Sequence, residues 1–345
     1  MQRCLQLAGS GAGHTAPNPM VGAVLVYKDR IIGEGCHRQY GKAHAEVNCI
    51  NSVRPADKQL IARSTLYVSL EPCAHFGKTP PCTGLIIENR IPAVVIGCRD
   101  SFNEVNGKGI EKLEAAGIQV TVGVLEKECL ALNRRFFTFH DRKRPYIILK
   151  WAESSDGKIA GTGSSRILIS NEFTNRLVHK WRSEEAAILV GTNTALKDDP
   201  SLTTRHWPGK SPVRLVIDRE LKLPAHLKLF GGEADTIVFN YLKTGDEGKL
   251  HYKQLGRNGG LLKQLLLVLC ERKLQSVIVE GGTRLLQSFI DAGLWDEARV
   301  ICNRQLTIGD GLEAPVLKNT VLLREEKIDT DVISYFARAA NPGNE

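Results

Sequence analysis

The chain has 345 residues, of which 42% are hydrophobic and 24% charged. That balance excludes a disordered polymer and allows about two domains with separate cores. The formal net charge of +8 comes with no dense basic arm and no alternating basic and aromatic stripe. Phosphorylated small molecules are therefore the expected anionic partners, rather than nucleic acid.

The opening MQRCLQLAGSGAGH lacks an apolar core of signal-peptide length, and no later stretch suits a bilayer span. Nine cysteines without a regular framework point to a reducing compartment, so the expected address is the cytoplasm. Residues 2–9 read as a helix followed by a glycine-rich turn at Gly9, Gly11 and Gly13. No strand precedes that turn, which removes a dinucleotide-loop reading. Strands are expected at Val21 to Tyr27, Ile31 to Cys36, Thr65 to Ser69, Val94 to Gly97 and Gln119 to Gly123. Helices are expected near His44, from Pro81 to Asn89 and from Gly107 to Ala116.

His140 to Pro145 reads as a linker, dividing the chain into domains 1–143 and 144–345. Beyond it, strands are expected at Tyr146 to Lys150, 186–190, 213–217, 236–239 and 277–279. A helix capped by Asn171 should run to Arg182, and another should span 261–273. The intervening 241–260 segment, rich in glycine and charge, reads as a surface loop. The whole is α/β, with mixed sheets covered by helices.

Chemistry concentrates first in His44-Ala45-Glu46, Pro72-Cys73 and Pro81-Cys82. One imidazole and two thiolates can hold Zn²⁺ with a fourth position left for water, and a nearby glutamate can carry protons without binding metal. Pro81 suits a helix start, where free N–H groups favour a Cys82 thiolate. Glu46 is two residues from His44 and cannot share its direction along a regular helix, so the helix entrance must separate their tasks.

This set, with Thr15-Ala16-Pro17-Asn18-Pro19, Ser69 to Cys73 and His75 to Cys82, resembles the deaminase half of the bifunctional RibD family of riboflavin biosynthesis. The resemblance implies His44, Cys73 and Cys82 as zinc ligands and Glu46 as the catalytic proton shuttle. It also implies Asn18, His75 and Lys78 as substrate contacts. The second half resembles that family's reductase, through Ser155 to Ala160, Ala187 to Gly191, Asp198 to Thr203 and Glu280 to Thr283. By that resemblance Lys150, Ser165, Arg182, Asp199, Leu202, Arg205 and Glu280 bind substrate, while Thr194, Asp198, Gly281 and Gly282 hold NADPH. Ile167 stands where the family often has Trp.

The implied architecture is a cytidine-deaminase-like three-layer domain followed by a dihydrofolate-reductase-like domain. The implied function is zinc-dependent deamination of a ribosylated diaminopyrimidinone phosphate and NADPH-dependent reduction of the resulting uracil, in a homo-oligomer without membrane or nucleic-acid partners. The alternative is a nucleic-acid deaminase with an inactive carboxy-terminal body.

Overall fold

The strands that read as continuously apolar are buried on both faces. This computed structural model describes residues 1–76, 80–101, 106–163 and 167–339, and the chain divides into two units, Met1–Lys143 and Arg144–Glu345.

In the first unit the elements are α1 (Gln2–Gly9), β1 (Gly22–Tyr27), β2 (Arg30–Cys36), α2 (Ala45–Asn51), β3 (Thr65–Leu70), α3 (Cys82–Glu88), β4 (Ala93–Cys98), α4 (Lys108–Ala115), β5 (Gln119–Val122), α5 (Glu126–Leu132) and α6 (Arg134–Arg142). The sheet order is β2-β1-β3-β4-β5. Its β2-β1-β3 portion is antiparallel and its β3-β4-β5 portion parallel. On one face Leu25, Leu66, Val68 and Ile96 pack with Cys49, Ile86 and Leu113 from α2, α3 and α4. At the ends of β3 and β4, Leu70 and Cys98 meet Cys129, Phe136 and Phe137 from α5 and α6. Helix α2 lies close to β2 at Gly35, where a Cβ would stand 2.3 Å from the Cys49 nitrogen. Only glycine permits that approach, and the approach sets the height of His44 and Glu46 over the sheet.

The proposed linker is shorter than expected. Helix α6 continues through Arg142 and ends at Lys143 in a left-handed conformation, because Phe136 and Phe137 bury one face of it.

The second unit contains β6 (Tyr146–Ser154), β7 (Lys158–Gly161), α7 (Glu172–Glu184), β8 (Ala187–Val190), α8 (Thr192–Asp198), β9 (Val213–Ile217), β10 (Thr236–Asn240), β11 (Gly245–Glu247), β12 (Leu250–Gln254), α9 (Leu261–Glu271), β13 (Ser276–Val279), α10 (Thr283–Asp291), β14 (Glu297–Asn303), β15 (Gly311–Glu313), β16 (Thr320–Ile328) and β17 (Asp331–Arg338). Ten of these strands form one sheet, β11-β12-β10-β9-β8-β13-β6-β14-β17-β16, and β7 pairs with β15. From β12 to β14 the large sheet is parallel. Successive β6 residues serve opposite cores. Ile147, Leu149 and Trp151 join Leu265, Leu269 and Phe289 of α9 and α10, while Tyr146 and Ile148 join Val178 and Trp181 of α7 and Ala195 of α8.

Asn171 caps α7 as expected, its Oδ1 accepting the Thr174 N–H at 2.9 Å. The 241–260 segment is not simply a loop, since β11 and β12 form a hairpin that adds to β10. Leu250 and Tyr252 supply its apolar face, and Lys243 lies 3.6 Å from the Tyr252 ring centroid. The carboxy-terminal strands β14 to β17 were not anticipated at all.

One buried carboxylate fixes the exit of β3. Glu71, 4% exposed, accepts the N–H groups of Asp100, Gly107, Gly109 and Ile110 at 3.3, 3.1, 2.9 and 3.4 Å. It satisfies the open end of α4 and holds the backbone that leads directly to Cys73. Glu71→Ala should cost about 3 kcal/mol or more, because several buried donors lose their acceptor together. Denaturant unfolding combined with zinc analysis of the refolded protein checks this, and an unchanged midpoint would contradict it.

Candidate functional sites

Helix α2 begins at Ala45, and His44 is its N-cap residue at φ −73° and ψ 170°. This resolves the spacing problem of the H-A-E motif. The imidazole, outside the helix, turns toward the two cysteines, while Glu46 in the first turn is buried at 4% exposure and hydrogen-bonded to the Cys82 thiol. Cys73 leaves β3 behind Pro72, and Cys82 opens α3 behind its N-cap Pro81.

His44 Nδ1 lies 3.6 Å from Cys73 Sγ and 3.4 Å from Cys82 Sγ, and all three donor atoms fall within 4.8 Å of one another. Tetrahedral zinc with ordinary Zn–S and Zn–N bonds needs donor separations of about 3.5–3.8 Å, so the trio fits. Among the described residues no fourth histidine, cysteine or acid completes the group, which is the donor count of a site open to water.

The thiols are already polarised. Hydrogen bonding with Cys82, joined by His44, outweighs burial and brings Cys73 down to about 4. Hydrogen bonding with Cys73, then burial, pushes Cys82 up. The Cys82 N–H also donates to Cys73 Sγ at 3.3 Å, a helix-start contact that favours a thiolate. Burial raises the Glu46 carboxyl, and the Cys73 charge adds to that effect. A dication held by the trio acts in the opposite direction.

Asn18 joins this neighbourhood through His37. Its Nδ2 lies 3.2 Å from His37 Nε2, and the His37 ring sits 5.4 Å from that of His44. His37 Nδ1 is 3.0 Å from the Ala43 carbonyl. His75 is half-buried two residues beyond Cys73. Lys78 and Ser165 lie outside the described residues.

The second cluster forms at the carboxyl ends of β8 and β13, beside the middle of the longer β6, near where parallel α/β sheets bind ligands. Val279 pairs with both Leu149 and Leu189, so Glu280 emerges beside Lys150 and level with the end of β8. Arg182, in the last turn of α7, grips Glu280 through Nε and Nη2 at 2.8 and 2.7 Å. Lys150 Nζ stands 3.7 Å from the same carboxylate. Burial alone would raise the Glu280 carboxyl, but the Arg182 and Lys150 charges hold it down at about 2. Two cations thus face one anion in a cluster whose side chains are at most 13% exposed.

Gly281 continues from Glu280 at φ +126°, a backbone region open in practice to glycine alone. Gly282 caps α10. Thr194 of α8 borders both, since a Cβ on Gly282 would stand 3.2 Å from its Oγ1. Asp198 is exposed at the end of α8. Asp199 is tied to Lys228, with Oδ1 accepting the Lys228 N–H at 2.8 Å and Oδ2 3.2 Å from Lys228 Nζ. Leu202 is buried at φ +54°, and Arg205 is exposed. Sequence reasoning missed Glu71, His37 and His179 as organisers of these sites. Each acts by accepting or aligning a backbone or amide group, which leaves no spacing signature.

Residues 1–98 match the cytidine and deoxycytidylate deaminase zinc-binding region, and residues 145–322 match the RibD C-terminal domain. The riboflavin biosynthesis protein RibD of Aquifex aeolicus is 42% identical, covering 98% of this chain and 97% of its own. That of Bacillus amyloliquefaciens is 41% identical over 86% of this chain and 81% of its own. A Thermotoga maritima structure described as a diaminohydroxyphosphoribosylaminopyrimidine deaminase/5-amino-6-(5-phosphoribosylamino)uracil reductase superposes with TM-score 0.90 at 37% identity, covering 98% of this chain and 97% of its own. Acinetobacter baumannii RibD superposes at 0.88 with 29% identity and 98% coverage of both chains. With a cytidine-deaminase-like fold joined to a dihydrofolate-reductase-like one, this chain belongs to the RibD family, the zinc- and NADPH-using bifunctional deaminase–reductases of riboflavin biosynthesis.

Proposed function

We propose that residues 1–143 deaminate 2,5-diamino-6-ribosylamino-4(3H)-pyrimidinone 5′-phosphate and that residues 144–345 reduce the product, 5-amino-6-(5-phosphoribosylamino)uracil, to its ribitylamino form. The observation that carries the first half is the convergence of His44, Cys73 and Cys82 at zinc-compatible separations beside a buried Glu46. His44, Cys73 and Cys82 hold the metal. Bound zinc supplies Lewis acidity that brings a hydrolytic water toward ionisation near neutral pH. Glu46 takes up the proton of the attacking water at its carboxylate and returns protons to the ring nitrogen and to departing ammonia. Asn18, fixed by His37, orients the pyrimidine, and His75 and Lys78 belong to the adjoining substrate loop.

In the second half, the surplus positive charge around Glu280 supports binding of a phosphoribosyl group. Arg182, Arg205 and Ser165 serve the phosphate, for which the planar guanidinium fork is apt. Lys150, Glu280, Asp199 and Leu202 line the ribosyl side. Thr194, Asp198, Gly281 and Gly282 hold NADPH, which supplies the hydride when bound. The chain acts in the cytoplasm as a homo-oligomer. All nine cysteines are free, and edge strand β16 exposes Val321, Leu322 and Leu323, which support those two readings.

Glu46→Gln should lower ammonia release about 10³-fold while zinc content stays at that of the parent. NADPH oxidation on supplied deaminated intermediate should change less than about twofold. Loss of both reactions in that variant overturns the division between the two units.

Glu280→Gln leaves Arg182 and Lys150 without their anion, and should abolish reduction and cost about 3 kcal/mol. The Glu280 carboxyl is depressed from its ordinary 4.5 to about 2. Its stabilisation is therefore complete above about pH 4.5 and disappears as pH falls toward 2. Acid unfolding curves of the parent and of Glu280→Gln should converge over that window. Parallel curves would show that the ionisation of Glu280 contributes nothing to stability.

A further inference from the structure

Helix α7 carries a second polar residue one turn before Arg182. His179 is buried, at 2% exposure, and its Nδ1 accepts the backbone N–H of Arg205 at 3.0 Å. Because Nδ1 accepts, the ring is neutral with its proton on Nε2. Burial, then the Arg182, His206 and Arg205 charges, holds His179 down at about 4, so the acceptor persists through the neutral range. The His206 ring packs edge-on against it with centroids 4.7 Å apart.

The same short segment is tied at a second point, where Arg182 Nη1 donates to the Thr203 carbonyl at 3.4 Å. Thr204 is closed off from the other side, its N–H donating to Ser211 Oγ at 3.1 Å. The main chain of 203–205 is therefore pinned to α7. The Arg205 side chain, by contrast, is exposed and makes no hydrogen bond or ion pair among the described residues. A held backbone carrying an available guanidinium is the arrangement that suits an anion arriving from solvent, because less ordering remains to be done on binding.

We propose that His179 is a positioning residue of the reductase, fixing the Arg205 main chain so that its guanidinium meets the substrate phosphate. The inference rests on the assignment of Arg205 to that phosphate. His179 touches neither substrate nor cofactor. Its effect should appear in KM for the phosphoribosyl substrate and not in hydride transfer.

The test uses the full-length enzyme, with ammonia release by the amino-terminal unit as the internal measure of folding. His179→Phe keeps the bulk and removes the acceptor, and His179→Leu replaces it if the phenyl variant is insoluble. KM for 5-amino-6-(5-phosphoribosylamino)uracil should rise about tenfold, with kcat and the KM for NADPH within about twofold of the parent. His179→Asn, whose Oδ1 takes the place of Nδ1, should restore KM to within about twofold. In an Arg205→Gln background His179→Phe should add less than about twofold. If Arg205→Gln alone leaves KM unchanged, the phosphate assignment fails. If Arg205→Gln raises KM but His179→Phe does not, or if His179→Phe lowers kcat equally in both backgrounds, the positioning role fails.

Discussion

A carboxylate buried at the exit of a parallel strand organises each unit. Glu71 follows β3 and Glu280 follows β13, each the first residue beyond its strand. A buried carboxylate is costly unless it is matched. The two are matched differently. Glu71 is satisfied by hydrogen bonds from four backbone N–H groups, so its effect is to fix loops. Glu280 is matched by two cationic side chains, so its effect is to bring charged groups from α7 and β6 to one point. The first solution builds a rigid approach to a metal donor, and the second builds an electropositive floor.

The metal donors show why rigidity matters in the amino-terminal unit. They come from a helix cap, a strand exit and a helix start, three segments with no covalent reason to meet. Their separation depends on Gly35 admitting α2 against β2 and on Glu71 holding the turn before Cys73. A shift of about 1 Å in any of the three would take a donor out of zinc range. Placing His44 at the cap rather than inside the helix also frees Glu46 to point elsewhere, so one short motif can direct its two side chains to different tasks.

The meeting of His44, Cys73 and Cys82 was legible because metal chemistry demands rare residue types at short spacings. Histidine, glutamate and two proline-flanked cysteines leave few other readings. Most strands were legible because burial on both faces makes them uniformly apolar. The hairpin β11–β12 was hidden by charge. Its Gly245-Asp246-Glu247 strand is fully exposed, so it carries neither alternation nor an apolar run. Strand β16 was hidden similarly by Arg324, Glu325, Glu326 and Lys327 along an open edge. Helix α6 was mistaken in its last turn for a linker, because His140 to Lys143 is polar while the residues that bury it, Phe136 and Phe137, lie one turn earlier. The second site was legible only through resemblance. Lysine, arginine and glutamate are common, and their meeting is decided by β6–β13 register and by the length of α7, neither of which a local window contains.

The choice between a phosphometabolite enzyme and a nucleic-acid deaminase with an inert carboxy-terminal body follows from where the positive charge lies. A nucleic-acid surface needs cations spread along an exposed track, so that phosphates at regular intervals are neutralised. Here Lys150 and Arg182 are instead drawn in around the Glu280 carboxylate, and Arg205 stands on a backbone pinned to the same helix. Such a cluster matches a single compact anion. An inert body would gain more stability from apolar residues at Lys150, Arg182 and Glu280 than from three buried charges.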